Sequence, residues 1–205
     1  MSTTNYSIAI RVARRTAQIT TSIAALVGIS ACTLDATNPG LIPASALDAP
    51  GALNALVNGT GRDLSEALNW TAYTGAAVAR EIFPGGSTGA FGISVQQQSG
   101  KLSDDDGNNY WNFGQRARWT SEDAVARAKV IVAATPTLLS QAHIWAGFSN
   151  RLLGENFCQG VINGGPPASH TVYLERAEAN FTDAIAAATA ASNTTLTQVA
   201  TAGRA

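Results

Sequence analysis

The chain predicts an all-α fold, with helix pairs beside an irregular, loop-rich lobe. Three observations carry that reading. From residue 48 onward, apolar residues recur mostly at the 3.6 spacing of an amphipathic helix. Alanine and glycine are abundant and charged residues make up only 13%, which lets helices approach closely through small side chains. Residues 84–110, rich in Gly, Ser, Asp and Asn, follow no helical period. So long an irregular stretch inside a compact domain is often functional. The 205 residues suit one domain with a sizeable core, or the front of a larger one.

Residues 1–31 read as an export signal. Arg11, Arg14 and Arg15 form a positive head, and Ile19–Ile29 is an apolar run too short to span a bilayer as an ordinary helix. Ser30 and Ala31 then precede Cys32. This order resembles a bacterial lipoprotein signal, in which cleavage makes the cysteine the acylated first residue. A secretory signal with an incidental cysteine is the alternative. Arg14-Arg15 runs into Thr16-Ala17-Gln18 rather than apolar residues, which favours general secretion over twin-arginine export. Cleavage leaves ten Lys and Arg against fourteen Asp and Glu, a mature charge of −4. With its cations scattered, the chain gives no electrostatic case for nucleic acid. Acyl chains on Cys32, at about 0.8 kcal/mol per buried methylene, suffice for stable anchoring. Thr33 in place of aspartate leans towards the outer membrane. Only Cys158 then remains, so no disulfide framework exists within the chain. It reads as a half-buried thiol at a helix end.

Residues 32–47, rich in Pro, Ser, Thr and Asn, form a lipidated tether, and 48–205 the helical body. Asp48 is the predicted N-cap of the first helix, with Pro50 in its first turn. Leu53, Leu56, Val57, Leu64 and Leu68 mark its apolar face, and Gly59 and Gly61 leave open whether it is one helix or two. The pattern continues over Trp70–Phe83 until Pro84-Gly85-Gly86. A short strand fits Gly92–Gln98. Helix returns over Tyr110–Val132, where Trp111, Phe113, Trp119, Val125 and Val130 supply apolar contacts. Thr120 and Asp123 look like a capping box that starts a fresh helix. Pro136 breaks the chain ahead of a central pair.

That pair spans Ala142–Ala184. Its first helix carries Ile144, Trp145, Phe148, Leu152, Leu153 and Phe157. Gly147 and Gly154 lie within it. Each costs about 1 kcal/mol against alanine, so each marks a close helix approach. The second helix carries Ala177, Phe181 and Ala184, spaced as in the second helix of a tetratricopeptide-type pair. Thr195–Ala205 begins another helix in mid-pattern, so the chain reads as cut short.

Several stretches in fixed order carry a family resemblance: the cysteine of the signal, an Asn-Pro tether, GALNALVNG, RARWTSEDAVARA, WAGFSNRLLGENFC, YLERAEANFTDAI and ATAGRA. The order resembles the SusD/RagB outer-membrane lipoproteins over residues 32–205. Members are much longer, so the resemblance implies that this is their N-terminal part. It also implies tetratricopeptide-like helix pairs against an irregular lobe, and a lipid-anchored protein on the outer face of the outer membrane. Such a protein is no enzyme and needs no cofactor. It captures glycan or another oligomeric nutrient for a TonB-dependent, SusC-like barrel. A helical-repeat scaffold that binds only a protein partner is the alternative.

Sugars stack on flat aromatic faces and bond to amides and carboxylates. Phe91, Gln97, Asn108, Tyr110 and Trp111, in or beside the irregular stretch, are the candidate ligand contacts. Tyr110 and Trp111 also fit as core anchors at a helix start. Other chemistry is weaker. Gly85–Gly89 matches the G-x-S-x-G pattern around Ser87 but lacks the strand–turn–helix setting of a nucleophile elbow. His143, Cys158 and His170 match no metal-ligand spacing. Asp104–Asn109 fails the EF-hand template, leaving a non-EF calcium loop or a solvated acidic turn. Replacing Cys32 with alanine is expected to move the protein from the membrane to the soluble fraction; an unchanged distribution on fractionation would exclude Cys32 as the anchor.

Overall fold

The computed structural model describes residues 42–86, 93–131 and 134–205, and these are overwhelmingly helical. Two 3-10 turns, Ala44–Asp48 and Pro50–Ala52, lead into α1 (Leu53–Ala79). Asp48 does not cap α1, contrary to expectation. The N-cap is Ala52, with no side-chain bond, and the Asp48 carboxylate pairs with Arg127 instead. Asp48 ends the first 3-10 turn, four residues before that N-cap, and so lies out of reach of the first turn of α1. α1 is one continuous helix through Gly59 and Gly61. At Gly61 a Cβ would lie 3.1 Å from the Trp145 ring, so the missing side chain admits the indole. The helix ends at Arg80 in the left-handed region (φ 62°), before the Pro84-Gly85-Gly86 expected to stop it.

The strand expected near Gly92–Gln98 is replaced by one helical turn, Val95–Gln98. Ser94 and Gln97 close a reciprocal capping box there, and satisfying two backbone N–H groups locally needs no partner strand. α2 (Asn108–Val130) then runs unbroken. The fresh start expected at Thr120 is absent. Its hydroxyl lies 2.9 Å from the Arg116 carbonyl and 3.1 Å from Asp63, so it bonds backwards rather than capping forwards. Four residues of the expected apolar pattern are exposed: Leu68, Phe83, Trp119 and Val130.

Pro136 occupies the first turn of α3 (Pro136–Asn156), where its missing N–H costs nothing, and Thr135 caps the Leu138 N–H at 3.2 Å. Asn156 ends the helix two residues before Cys158, which is exposed rather than half-buried. A two-residue antiparallel pairing of β1 (Gln159–Gly160) with β2 (Ala168–Ser169) folds the insertion back. α4 (Thr171–Ala190) and α5 (Thr194–Arg204) complete the fold, the latter capped by Asn193. Among the described residues no helix is long and apolar enough to cross a membrane.

Among the described residues, each of the five long helices packs on the next, and α3 touches the other four. A helix enclosed this way must be small-sided on most faces, and α3 buries Ala142, Ala146, Gly147, Ser149 and Gly154. Leu53, Val57, Ala124 and Ala128 form one core cluster with it, and Leu64, Ala67, Ala117 and Leu152 another. Ile144, Ala177, Phe181, Ala184 and Ala200 form a third, towards α4 and α5. Trp145 packs against all three.

Both expected close approaches in α3 are present. A Cβ on Gly147 would lie 2.6 Å from the Phe181 ring, and one on Gly154 2.5 Å from Leu174. Phe181 is 1% exposed and is also crowded by Gly203 of α5, so its ring has nowhere to retreat. Gly147→Ala is therefore expected to destabilise by about 1–3 kcal/mol net, overpacking outweighing the better helix propensity. Urea denaturation checks this; a variant as stable as the parent would show that the ring can move aside.

Candidate ligand-binding cleft

α2 carries Tyr110, Trp111, Gln115, Arg118 and Trp119 within ten residues, a little under three turns. Trp111 and Trp119 line a shallow cleft of about 630 Å³, with Gln115, Arg116 and Arg118 from the same helix and Asn163 from the insertion between α3 and α4. Trp119 is 56% exposed, and Trp111 is held edge-on against Phe157, 4.8 Å between ring centres. One tryptophan is thus braced by the body while the other stands in solvent.

A continuous polar network fixes the insertion against α2. The Tyr173 hydroxyl, on a side chain with no exposure, accepts from the Val161 N–H at 2.8 Å and donates to the Val161 carbonyl at 2.9 Å. It also accepts from Gln115 Nε2 at 2.6 Å. Gln115 Oε1 in turn accepts from Arg118 Nε at 3.0 Å. The other Arg118 nitrogens donate to Glu122 at 2.7 Å and to Asn163 Oδ1 at 3.0 Å. Asn163 holds a left-handed backbone (φ 50°), as asparagine tolerates, and Gly164 follows at φ 75°. Gly160 lets the loop lie flat, since a Cβ there would collide with Val172 and sit 3.3 Å from the Tyr173 ring. Leaving any of these buried partners unanswered costs about 1–3 kcal/mol each, so the loop side of the cleft is preformed.

Glu122 is the hinge of the network. Its Oε1 accepts from Arg176 Nε at 2.9 Å and from Asn150 Nδ2 at 3.0 Å, joining α2, α3 and α4. Burial pushes its carboxyl up, but the hydrogen bonds from Arg176 and Asn150 and the charges of Arg118 and Arg176 outweigh that and hold it below its ordinary 4.5. Among the described residues, Asn150 Oδ1, Ser149 Oγ and Trp145 Nε1 are buried without a hydrogen-bond partner.

The sequence-predicted contacts separate in space. Phe91 and Ser87, the central residue of the G-x-S-x-G match, lie outside the described residues. Gln97 is 6% exposed, and its side-chain oxygen accepts from the Ser94 N–H in the capping box. Asn108 is exposed at the start of α2. Tyr110 stacks on Phe157 at 5.0 Å, beside the edge-on Trp111, so both act as anchors at a helix start. Of the candidates, Trp111 alone reaches the cleft among the described residues. Trp119, Gln115, Arg116, Arg118 and Asn163 were missed as site residues. The available signal was the Trp111–Trp119 spacing, which brings the two within about 80° around a helix.

Among the described residues no three metal-ligating side chains come together. Asp106 accepts from the N–H and the hydroxyl of Ser103, each at 2.8 Å, in a turn that it closes itself. His143 is buried against Asn180 Oδ1 at 2.8 Å, and burial pushes its imidazole down despite that bond. It is therefore neutral at pH 7, and its 3.7 Å approach to Asp183 is no ion pair. No family model, curated protein or solved structure matches the chain.

The depressed Glu122 carboxyl contributes stability that is complete above pH 4.5 and is lost as pH falls through its lower folded value. Glu122→Gln is expected to lower the melting temperature at neutral pH and to flatten the acid side of the stability profile. Thermal melts from about pH 7 to pH 3 check this; parallel profiles for the two proteins would assign the acid sensitivity to other carboxylates.

Proposed function

We propose that the protein is a non-catalytic, lipid-anchored binding protein similar to the SusD/RagB lipoproteins. It captures glycan or another oligomeric nutrient at the outer membrane and delivers it to a TonB-dependent, SusC-like barrel. The observation that carries this reading is the cleft with Trp111 and Trp119 on its walls and an amide, Asn163, beside them. Aromatic faces pack on the C–H surfaces of sugars, and planar polar groups take the hydroxyls. The order of motifs over residues 32–205 and the signal ending at Cys32 supply the rest.

In this reading α3 and α4 are a tetratricopeptide-like pair. Ala177, Phe181 and Ala184 fill the contact with α3, at the spacing such pairs use. The binding surface sits on α2 and on the insertion between α3 and α4, rather than only in the irregular stretch at 84–110. The helices hold the cleft open, and the lipid on Cys32 holds the body at the membrane.

Replacing Trp111 and Trp119 together by alanine is expected to weaken glycan binding at least about fivefold, since two stacking contacts are worth about 0.5–1.5 kcal/mol each. A glycan array followed by calorimetry measures it. Unchanged binding in the double variant would move the site elsewhere, and a protein that binds no glycan at all would favour the scaffold alternative.

A further inference from the structure

Resting on that reading, we infer that the cleft takes an uncharged oligosaccharide of at least two rings, in preference to an acidic glycan, a peptide or a single sugar. Two arginines border the cleft, and at first sight they suit an anion. Their partners say otherwise. Arg118 is 3% exposed, and its Nε, Nη1 and Nη2 are all engaged, by Gln115, Glu122 and Asn163. Its charge is met by Glu122 at 2.7 Å, and it has no surface to offer a ligand. Arg116 is 43% exposed, but Asp63 holds its Nη2 at 3.1 Å and its guanidinium lies 4.8 Å from the Phe113 ring centre. Asp63 already offsets that charge, so an acidic ligand gains less from Arg116 than from an uncompensated cation and meets the Asp63 carboxylate beside it.

Apart from these two compensated arginines, the lining is neutral. Trp111 and Trp119 offer apolar faces, and Asn163 is exposed with its Oδ1 already taken by Arg118, leaving its amide N–H groups as donors. Donors paired with aromatic surface recognise hydroxyl and ether oxygens on a ring with a C–H face. The size follows from the helix. Eight residues at about 1.5 Å each set the two tryptophan backbones about 12 Å apart along α2. A single ring cannot lie against both, whereas an oligomer can.

A glycan array printed with neutral and acidic oligosaccharides tests this on the intact protein. The expected result is binding confined to neutral oligomers, with affinity for the strongest binder changing less than about twofold over a tenfold range of salt. Trp119→Ala, at an exposed position that does not endanger folding, is expected to weaken that binding several-fold. Asp63→Asn is expected to release Arg116 and bring in binding to a galacturonate oligomer that the parent lacks. A parent protein that prefers the galacturonate oligomer overturns the inference and leaves the glycan reading standing. So does equal affinity for glucose and for the matching neutral oligomer, or an Asp63→Asn protein with unchanged selectivity. Absence of binding to every glycan on the array overturns both.

Discussion

The Phe181 ring lies between two helices that have each given up a side chain to receive it. Gly147 on α3 and Gly203 on α5 both leave no room for a Cβ beside it. Ala177 and Ala184, one turn to either side on α4, are buried in the same cluster. With α3 pulled this close to α4 and α5, its remaining faces are free to meet α1 and α2. Trp145 then fills what is left, with its indole against Gly61 of α1. Leu153 and Leu174 likewise sit where Gly114 and Gly154 leave out a side chain. Interior packing at crystal-like density makes such gaps specific rather than generic.

The polar interior depends on that packing. Burying Arg118 at 3% exposure would be prohibitive for a lone charge, and it is tolerated because Glu122, Gln115 and Asn163 answer all three of its nitrogens. Glu122 needs Arg176 and Asn150 in turn, so the network closes only when α2, α3 and α4 are all in register. The same chain of bonds reaches Tyr173 and the backbone of Val161, and so pins the insertion that borders the cleft. A ligand meeting this surface need not order the loop, which spares the entropy that ordering it would cost.

Local signals were read correctly where they were self-contained. Gly147 and Gly154 mark close approaches, because that reading depends only on the absence of a side chain. Pro136 was taken to break the chain ahead of the pair, and it instead sits in the first turn of α3, capped by Thr135. Signals with two local solutions were misread. Thr120 with Asp123 fits a cap in sequence, yet the hydroxyl bonds backwards while Asp63 of α1 stands near it. Asp48 fits a cap, yet a second 3-10 turn intervenes before α1 begins, and the carboxylate pairs with Arg127. Ser94 and Gln97 were taken for part of a strand and a ligand contact, and they are the two halves of a capping box. Trp119 was counted among buried contacts because hydrophobicity says nothing about which face a helix shows to solvent.

By itself the sequence determined that the body is helical, roughly where its helices lie, and where two of them must touch, since periodicity, proline and glycine act over a few residues. Tertiary structure alone decided the cleft. Gln115 and Tyr173 are 58 residues apart, Arg118 and Asn163 are 45 apart, and Glu122 and Arg176 are 54 apart. Which buried polar group answers which is a property of three helices in contact, and no pattern along one helix encodes it.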